Sequence, residues 1–404
     1  MVAAARPSKG DVRIVVAGAA ADGSQVGSLA TAVARAFPLY SKKTGDGEGE
    51  AAGNVHVSFL DEAGENVASA DAARAASAAA EGVRLACRLG DMPPEELTTA
   101  AFAEECRAVA DRFPNTVTMT EICGDELRDA GYGGLYGVGK AAACPPRLVE
   151  LSYDPSPSAA AADGTIALVG KGIVYDTGGL SIKPKEGMAG MKHDMCGAAG
   201  VLGGFTAAVR LGLPRKLRLV LCLAENAIGP DAFRNDDILT MLSGKTVEVN
   251  NCDAEGRLVL ADGVHHVTKH VEDLDLVVDM ATLTGAQLIA TGKKHAGILA
   301  NDAALERRAV DAGLRSGDLT FPLLYAPELL KDEFQSKVAD MKNSVKDRMN
   351  AQTSCAGHFI EAHLDPEYKN GWLHVDMAGP GSKEERATGY GVGLVLSLLE
   401  APGF

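Results

Sequence analysis

Short, nearly continuous apolar runs alternate along most of this chain with longer stretches whose apolar positions recur every three or four residues. The short runs read as buried strands and the longer spacing as helices. From residue 147 onward, strands are expected at 148–153, 165–169, 217–224, 246–249, 276–280, 297–300 and 372–376. Helices are expected near 197–211, 256–271, 304–315, 354–364 and 391–400. Such alternation predicts an α/β fold, with a mixed, mostly parallel sheet flanked by helices. Upstream, strands at 12–19 and 55–60 and a helix at 25–37 suggest a small N-terminal α/β domain, residues 1–66. An Ala-rich helix at 67–89 lies in a linking segment, 67–92, and Pro93–Pro94 stop it. Thr98 or Thr99 caps the next helix, which runs to about Phe113. The main domain would span 93–404. A chain of 404 residues exceeds what one core usually organises. Polar, Gly- or Pro-rich stretches at 41–53 and 154–164 read as loops.

Charge narrows the function. With 39 basic and 54 acidic residues the formal charge is −15, which argues against a phosphate-backbone partner. No apolar stretch reaches the ~18 residues of a membrane span. The start, MVAAARPSKG, is too short in apolar residues for a secretory leader. The eight cysteines form no CxxC pair, so they read as reduced and mostly buried. A cytoplasmic protein without nucleic-acid or membrane partners is expected.

In open α/β sheets, ligands collect at the carboxyl ends of strands. After 165–169 come Gly170, Lys171, Gly172 and Asp176, then Lys183 and Asp194. After 246–249 come Asp253, Ala254, Glu255, Gly256 and Arg257. If 253–255 is extended, its two carboxylates aim the same way. Converging carboxylates repel unless cations separate them, and several hard oxygens suit divalent metals. Each feature alone has a plain reading: Asp-x-Glu as solvated surface, Gly-Lys-Gly as a turn, Asp194 as a helix cap. The joint pattern is what suggests a two-metal hydrolase. The near P-loop at 134–141 lacks the hydroxyl residue after its Lys and is rejected. Ser243-Gly244-Lys245-Thr246 lacks the upstream Gly. His265, His266 and the pair His374 and Asp376 read as packing or structural groups.

The blocks Gly170–Asp176, Ser181–Lys183, Asp194-Met195, Asn251–Leu258 and Asp279–Ala286 together resemble the leucyl (cytosol) aminopeptidase family, from about Leu85 to the C-terminus. Arg386–Gly389 and Asn226–Ile238 look closest to its probable or leucyl-like branch. The resemblance implies a dinuclear metallo-aminopeptidase that removes N-terminal, preferably apolar residues. Lys171, Asp176, Asp194 and Glu255 would hold a tight metal, expected to be Zn. Asp176, Asp253 and Glu255 would hold an exchangeable one: Zn, Mn, Mg or Co. A water bridging the metals would become the nucleophilic hydroxide. Lys183 would meet the substrate carbonyl, and Arg257 would hold a bicarbonate as general base. Thr282 and Leu283 would bind the peptide backbone, and Met191 would line the first side-chain pocket. The partners implied are peptides with a free N-terminus and five further copies in a homo-hexamer.

Four positions stand apart. Cys252 departs from the family's usual small residue and reads as a buried filler rather than a group of the metal shell. His193 is expected to point away, Cys196 fits the family pattern, and Gln352 bears on pocket size. Another dimetal hydrolase, such as a dipeptidase or esterase, is the first alternative. A catalytically inactive assembly protein is the second.

Overall fold

The computed structural model describes residues 11–44, 54–155 and 164–404. The N-terminal decapeptide read for a leader, and most of the loops at 41–53 and 154–164, lie outside the described residues. Strands run in chain order: β1 Val12–Ala17, β2 Val55–Leu60, β3 Val117–Cys123, β4 Arg147–Tyr153, β5 Thr165–Asp176, β6 Lys216–Asn226, β7 Ile238–Thr240, β8 Thr246–Glu248, β9 Leu274–Ala281, β10 Ala296–Ala300, β11 Thr320–Pro322, β12 Met341–Lys342 and β13 Gly371–Asp376.

Eight of them form the main sheet, in the order β11-β10-β13-β9-β5-β6-β4-β3. Its centre is parallel, from β13 through β9 and β5 to β6. The β10–β13, β6–β4 and β4–β3 pairings are antiparallel. The mixed, mostly parallel α/β architecture is therefore present. Alternate residues of β5 explain the layering. Ile166 and Leu168 join one core, with the helices Ala70–Asp91, Thr99–Arg112 and Cys196–Leu211. Ala167 and Val169 join the other, with Gly256–His270 and Gln352–Glu361. A strand buried on both faces reads as an unbroken apolar run, which is how β5 appears in the sequence. Trp372, Phe205 and Phe359 are fully buried, each contributing roughly 1.5–3 kcal/mol of transfer free energy.

The helix expected at 67–89 spans Ala70–Asp91, and the Ser69 hydroxyl accepts from the Ala72 amide at 3.1 Å. It lies along Cys196–Leu211, where a Cβ on Gly82 would come within 2.5 Å of the Gly203 carbonyl. Only glycine permits that approach. Strands β1 and β2 pair in parallel as a separate two-stranded sheet over a small core of Val26, Ala30, Phe59 and Ala76. Thr98, not Thr99, caps the next helix.

Two expectations need correction. The strand at 165–169 continues to Asp176, so Lys171 and Asp176 lie on it rather than in a following loop. The strand at 246–249 is β8, part of a separate three-stranded sheet with β7 and β12. The Gly-rich segment of the near P-loop is itself helical over Gly133–Gly139. β3 was not anticipated, because its Thr, Glu and Cys residues at a sheet edge leave no apolar run.

Candidate active site

Four segments meet at the carboxyl ends of β5, β6 and β9. β5 contributes Lys171 and Asp176. Residues five apart on a regular strand face opposite sides, but the β5–β6 register shifts between Ile173 and Asp176. Such an irregularity re-aims side chains and brings both residues to one site. The turn after β5 supplies Lys183. The short 3-10 turn Met191–His193 delivers Met191 and, just beyond it, Asp194. The last segment is 253–257. Its geometry differs from the extended form expected, since Glu255 has helical dihedrals (φ −79°, ψ −36°) at the start of Gly256–His270. The carboxylates converge all the same: oxygens of Asp176, Asp253 and Glu255 all lie within 4.8 Å of one another.

Two lysines thread this acidic cluster. Lys171 Nζ is 2.8 Å from Asp194 and 2.9 Å from Glu255. Lys183 Nζ is 2.8 Å from Asp176 and 2.5 Å from Asp253. Lys171 lies so close to the Gly256 backbone that a Cβ there would sit 2.6 Å from its Cε; glycine at 256 is a packing requirement. Lys171 is also held by the Thr282 carbonyl at 3.0 Å, while the Thr282 hydroxyl donates to Asp194 at 2.9 Å.

Burial dominates the electrostatics. It opposes charge on Lys171 and Lys183, yet neighbouring carboxylates hold both ammonium groups above the usual lysine range. Burial raises Asp194, Asp253 and Glu255, and repulsion from Asp176 adds to it. Carboxylates this buried and this close are stable as anions only with cations between them. Asp194 Oδ2 faces the Lys171 ammonium at 2.8 Å and Asp253 Oδ1 the Lys183 ammonium at 2.5 Å. The hard oxygens, and an amine that would bind once deprotonated, suit divalent ions. Arg257 is buried and pushed down to about 10 by that burial. One of its nitrogens donates to the Asn343 carbonyl at 3.0 Å, and its Nε is left without a partner, which fits an oxyanion.

A cavity of about 400 Å³ collects these groups. Lys171, Asp176, Lys183, Met191, Asp194, Asp253, Glu255, Arg257, Thr282 and Leu283 all line it. The ten residues singled out in the sequence thus share one wall-to-wall space.

Comparison with known proteins gives the same direction. Residues 84–396 match the description "Cytosol aminopeptidase family, catalytic domain". The chain belongs to the cytosol aminopeptidase family. It is 51% identical to a probable aminopeptidase, NPEPL1, of Mus musculus over 377 residues, covering 93% of this chain and 71% of that protein. Its fold matches a leucyl aminopeptidase from Trypanosoma brucei in complex with bestatin at a TM-score of 0.90 and 44% identity, over 98% of this chain and 74% of that one. It also matches the bottromycin maturation enzyme BotP in complex with Mn, at a TM-score of 0.79 and 33% identity, over 94% and 80% of the two chains. The family is dimetal-dependent, and this member is a metal-dependent aminopeptidase, a hydrolase of peptide bonds. The dipeptidase, esterase and inactive-relative alternatives are not favoured.

Several supporting residues of the aminopeptidase were not singled out in the sequence. Asn226, the last residue of β6, donates to Asp176 at 2.8 Å and to the Cys252 carbonyl at 3.0 Å. Asn343 donates to the carbonyls of Asn251 and Ala254 and accepts from the Asn250 and Asn251 amides. It clamps the segment that carries the acids. A lone asparagine has no spacing signal, so only coordinates reveal such partners. Cys252 is fully buried, with its thiol donating to the Phe233 carbonyl at 3.4 Å, which fits the filler reading. His193, expected to point away, instead lines the cavity, with Nε2 unpartnered. Burial, then Lys192 and Arg386, push it down to about 4. His266 lies between Tyr132 and Glu150, and His374 bonds Asp279; both have structural partners. Gln352 does line the cavity.

Proposed function

We propose that the enzyme is a dinuclear aminopeptidase that takes apolar, leucine-like residues from the free N-termini of peptides, with the catalytic unit spanning 93–404. The observation that carries this reading is the shared cavity, in which four carboxylates, two lysines and Arg257 converge. Lys171, Asp176, Asp194 and Glu255 would hold one metal, with Zn the expected ion. Asp176, Asp253 and Glu255 would hold the other: Zn, Mn, Mg or Co. When bound, two divalent ions supply a nucleophile at neutral pH and an anchor for the substrate's α-amine.

The chain's own residues do the rest. Lys183, held as an ammonium by Asp176 and Asp253, donates to the substrate carbonyl oxygen as negative charge develops there. Arg257, with its unpartnered Nε, would seat a bicarbonate beside the leaving amine and so place a proton carrier there. Leu283 has its amide N–H engaged by Asp376 at 3.1 Å, leaving its carbonyl to meet the peptide backbone. Thr282 turns both its carbonyl and its hydroxyl toward Lys171 and Asp194, steadying the metal-binding wall. Met191 lines the pocket for the first side chain.

A cytoplasmic homo-hexamer, a dimer of trimers, is proposed as the working form, with no nucleic-acid or membrane partner. The −15 charge argues against the nucleic-acid partner. Among the described residues, no helix is long and apolar enough to cross a membrane. The test is hydrolysis of leucyl dipeptides and aminoacyl amides, with and without added Mn²⁺ or Zn²⁺, beside N-acetylated controls. Metal-dependent cleavage of the free-amine substrates alone is expected. Cleavage of the acetylated ones would remove the amine-anchoring step, and no metal-dependent turnover would remove the assignment.

A further inference from the structure

Asp376 ends β13, beside Ala281 at the end of β9, and it is fully buried. Among the described residues no Lys or Arg forms an ion pair with it. It meets five neutral donors instead. Oδ1 accepts from the amides of Leu283 at 3.1 Å, Thr284 at 3.4 Å and Ala378 at 3.2 Å. Oδ2 accepts from the hydroxyls of Thr284 at 2.7 Å and Thr353 at 3.1 Å. A carboxylate is an acceptor-only group with about four lone-pair sites, so Asp376 is fully used.

The donors come from three separate segments: the loop after β9, the turn after β13, and the first turn of Gln352–Glu361. Each of these segments lines the active-site cavity, through Leu283 and Thr284, through Ala378, and through Gln352. None of the proposed metal-holding side chains bonds Asp376. One buried anion therefore ties together the cavity wall that faces the acidic cluster. A buried charge without an ion-pair partner is costly, and dipoles aimed from several chain segments are what offset it here.

We propose that Asp376 is a positioning residue for peptide binding: it fixes the 282–285 loop, so that the Leu283 carbonyl meets the substrate backbone in a preset place. This rests on the reading of Leu283 as a peptide contact. It predicts a loss in binding rather than in metal loading, because a disordered loop must be reordered with each substrate.

The test uses the metal-loaded full chain, with Asp376→Ala and Asp376→Asn beside the unaltered protein. Three things are measured: KM and kcat on a leucyl dipeptide, bound metal per chain, and amide hydrogen exchange at 282–285. For Asp376→Ala, faster exchange, unchanged metal and a KM raised about tenfold or more are expected, the scale of one lost charged hydrogen bond. Asparagine keeps an Oδ1 acceptor for the three amides, and the Thr284 and Thr353 hydroxyls can turn to accept from its amide. It is expected to hold KM within about threefold. A purely structural role would instead lower the active fraction, reducing kcat at constant KM, and that result overturns the proposal. Unchanged exchange overturns it as well. Faster exchange with unchanged KM overturns the link to binding and locates the error in the reading of Leu283. If the alanine variant does not fold, Asp376→Ser, whose acceptor is too short to span the amides, is measured against the same outcomes.

Discussion

The active-site cavity has two walls that are built by different means. One carries Lys171, Asp176, Lys183, Asp194, Asp253, Glu255 and Arg257, and its order comes from charge. The lysines bridge pairs of carboxylates at 2.5–2.9 Å. The other wall carries Leu283, Thr284, Gln352 and Ala378. Its order comes from backbone amides gathered on Asp376. The first wall sets four carboxylates against two lysines; the second is satisfied within the chain. Metal loading should therefore alter the first and leave the second in place, which separates chemistry from peptide recognition.

The largest effect should come from breaking the charged wall. Glu255→Ala removes a carboxylate shared by both proposed metal sites. We expect kcat/KM to fall on the order of 10³-fold or more, beyond the roughly 10–100-fold typical of groups that only support a ligand. Chelation should abolish activity and added Mn²⁺ or Zn²⁺ restore it. If the alanine variant keeps its metal and most of its rate, Glu255 is not a ligand and the comparison loses its basis.

Next in size is the electrostatic role of Lys183. Lys183→Met keeps the apolar stem and deletes the ammonium. A fall of about 10²–10³-fold in kcat is expected, as for removal of one oxyanion donor. Metal content should stay near that of the unaltered chain. A loss of metal with the rate per metal preserved would make Lys183 a brace for Asp176 and Asp253 instead of a contact to substrate.

The two walls also differ in how far the sequence exposes them. Lys, Asp and Glu between glycines after a strand are unusual together, and their types announce metal chemistry. The parallel centre of the sheet was equally legible, because buried strands are apolar runs. What escaped were contacts made by backbone or by lone polar residues. Asn226 and Asn343 are ordinary asparagines in a sequence, and Asp376 looks like half of a His-x-Asp pair. Their partners lie far along the chain: Asp376 bonds Leu283 across 93 positions and Asn343 bonds Asn251 across 92. The β5 irregularity was hidden for a related reason. Strand length and register depend on neighbouring strands, which local periodicity does not report.

Asn343 offers an intermediate test, because it braces the charged wall from outside. Asn343→Ala frees the carbonyls of Asn251 and Ala254 and two amides. The cost is about 1–3 kcal/mol for each buried group left unpaired, and a roughly 10–100-fold loss of activity should accompany weakened metal retention. Thermal unfolding and metal titration would separate these effects. Unchanged metal affinity with a lower melting temperature would show that the 253–257 segment holds its shape without this clamp.

The smallest effect expected is at Cys252, the residue before Asp253. Its carbonyl serves the site by accepting from Asn226, while its thiol points the other way, toward the Phe233 carbonyl and Asn235. Serine can make the same donor contact from nearly the same volume. Cys252→Ser should change kcat/KM by less than about threefold, because one neutral hydrogen bond replaces another. The thiol is fully buried, and burial raises its pKa, so it carries little thiolate and should resist alkylation in the folded protein. A large loss in the serine variant, or a shift in metal preference between Zn²⁺ and Mn²⁺, would mean that sulfur reaches the metal shell. The charged wall would then include a soft ligand beside its hard oxygens, and the metal expected at the exchangeable site would have to be reassigned.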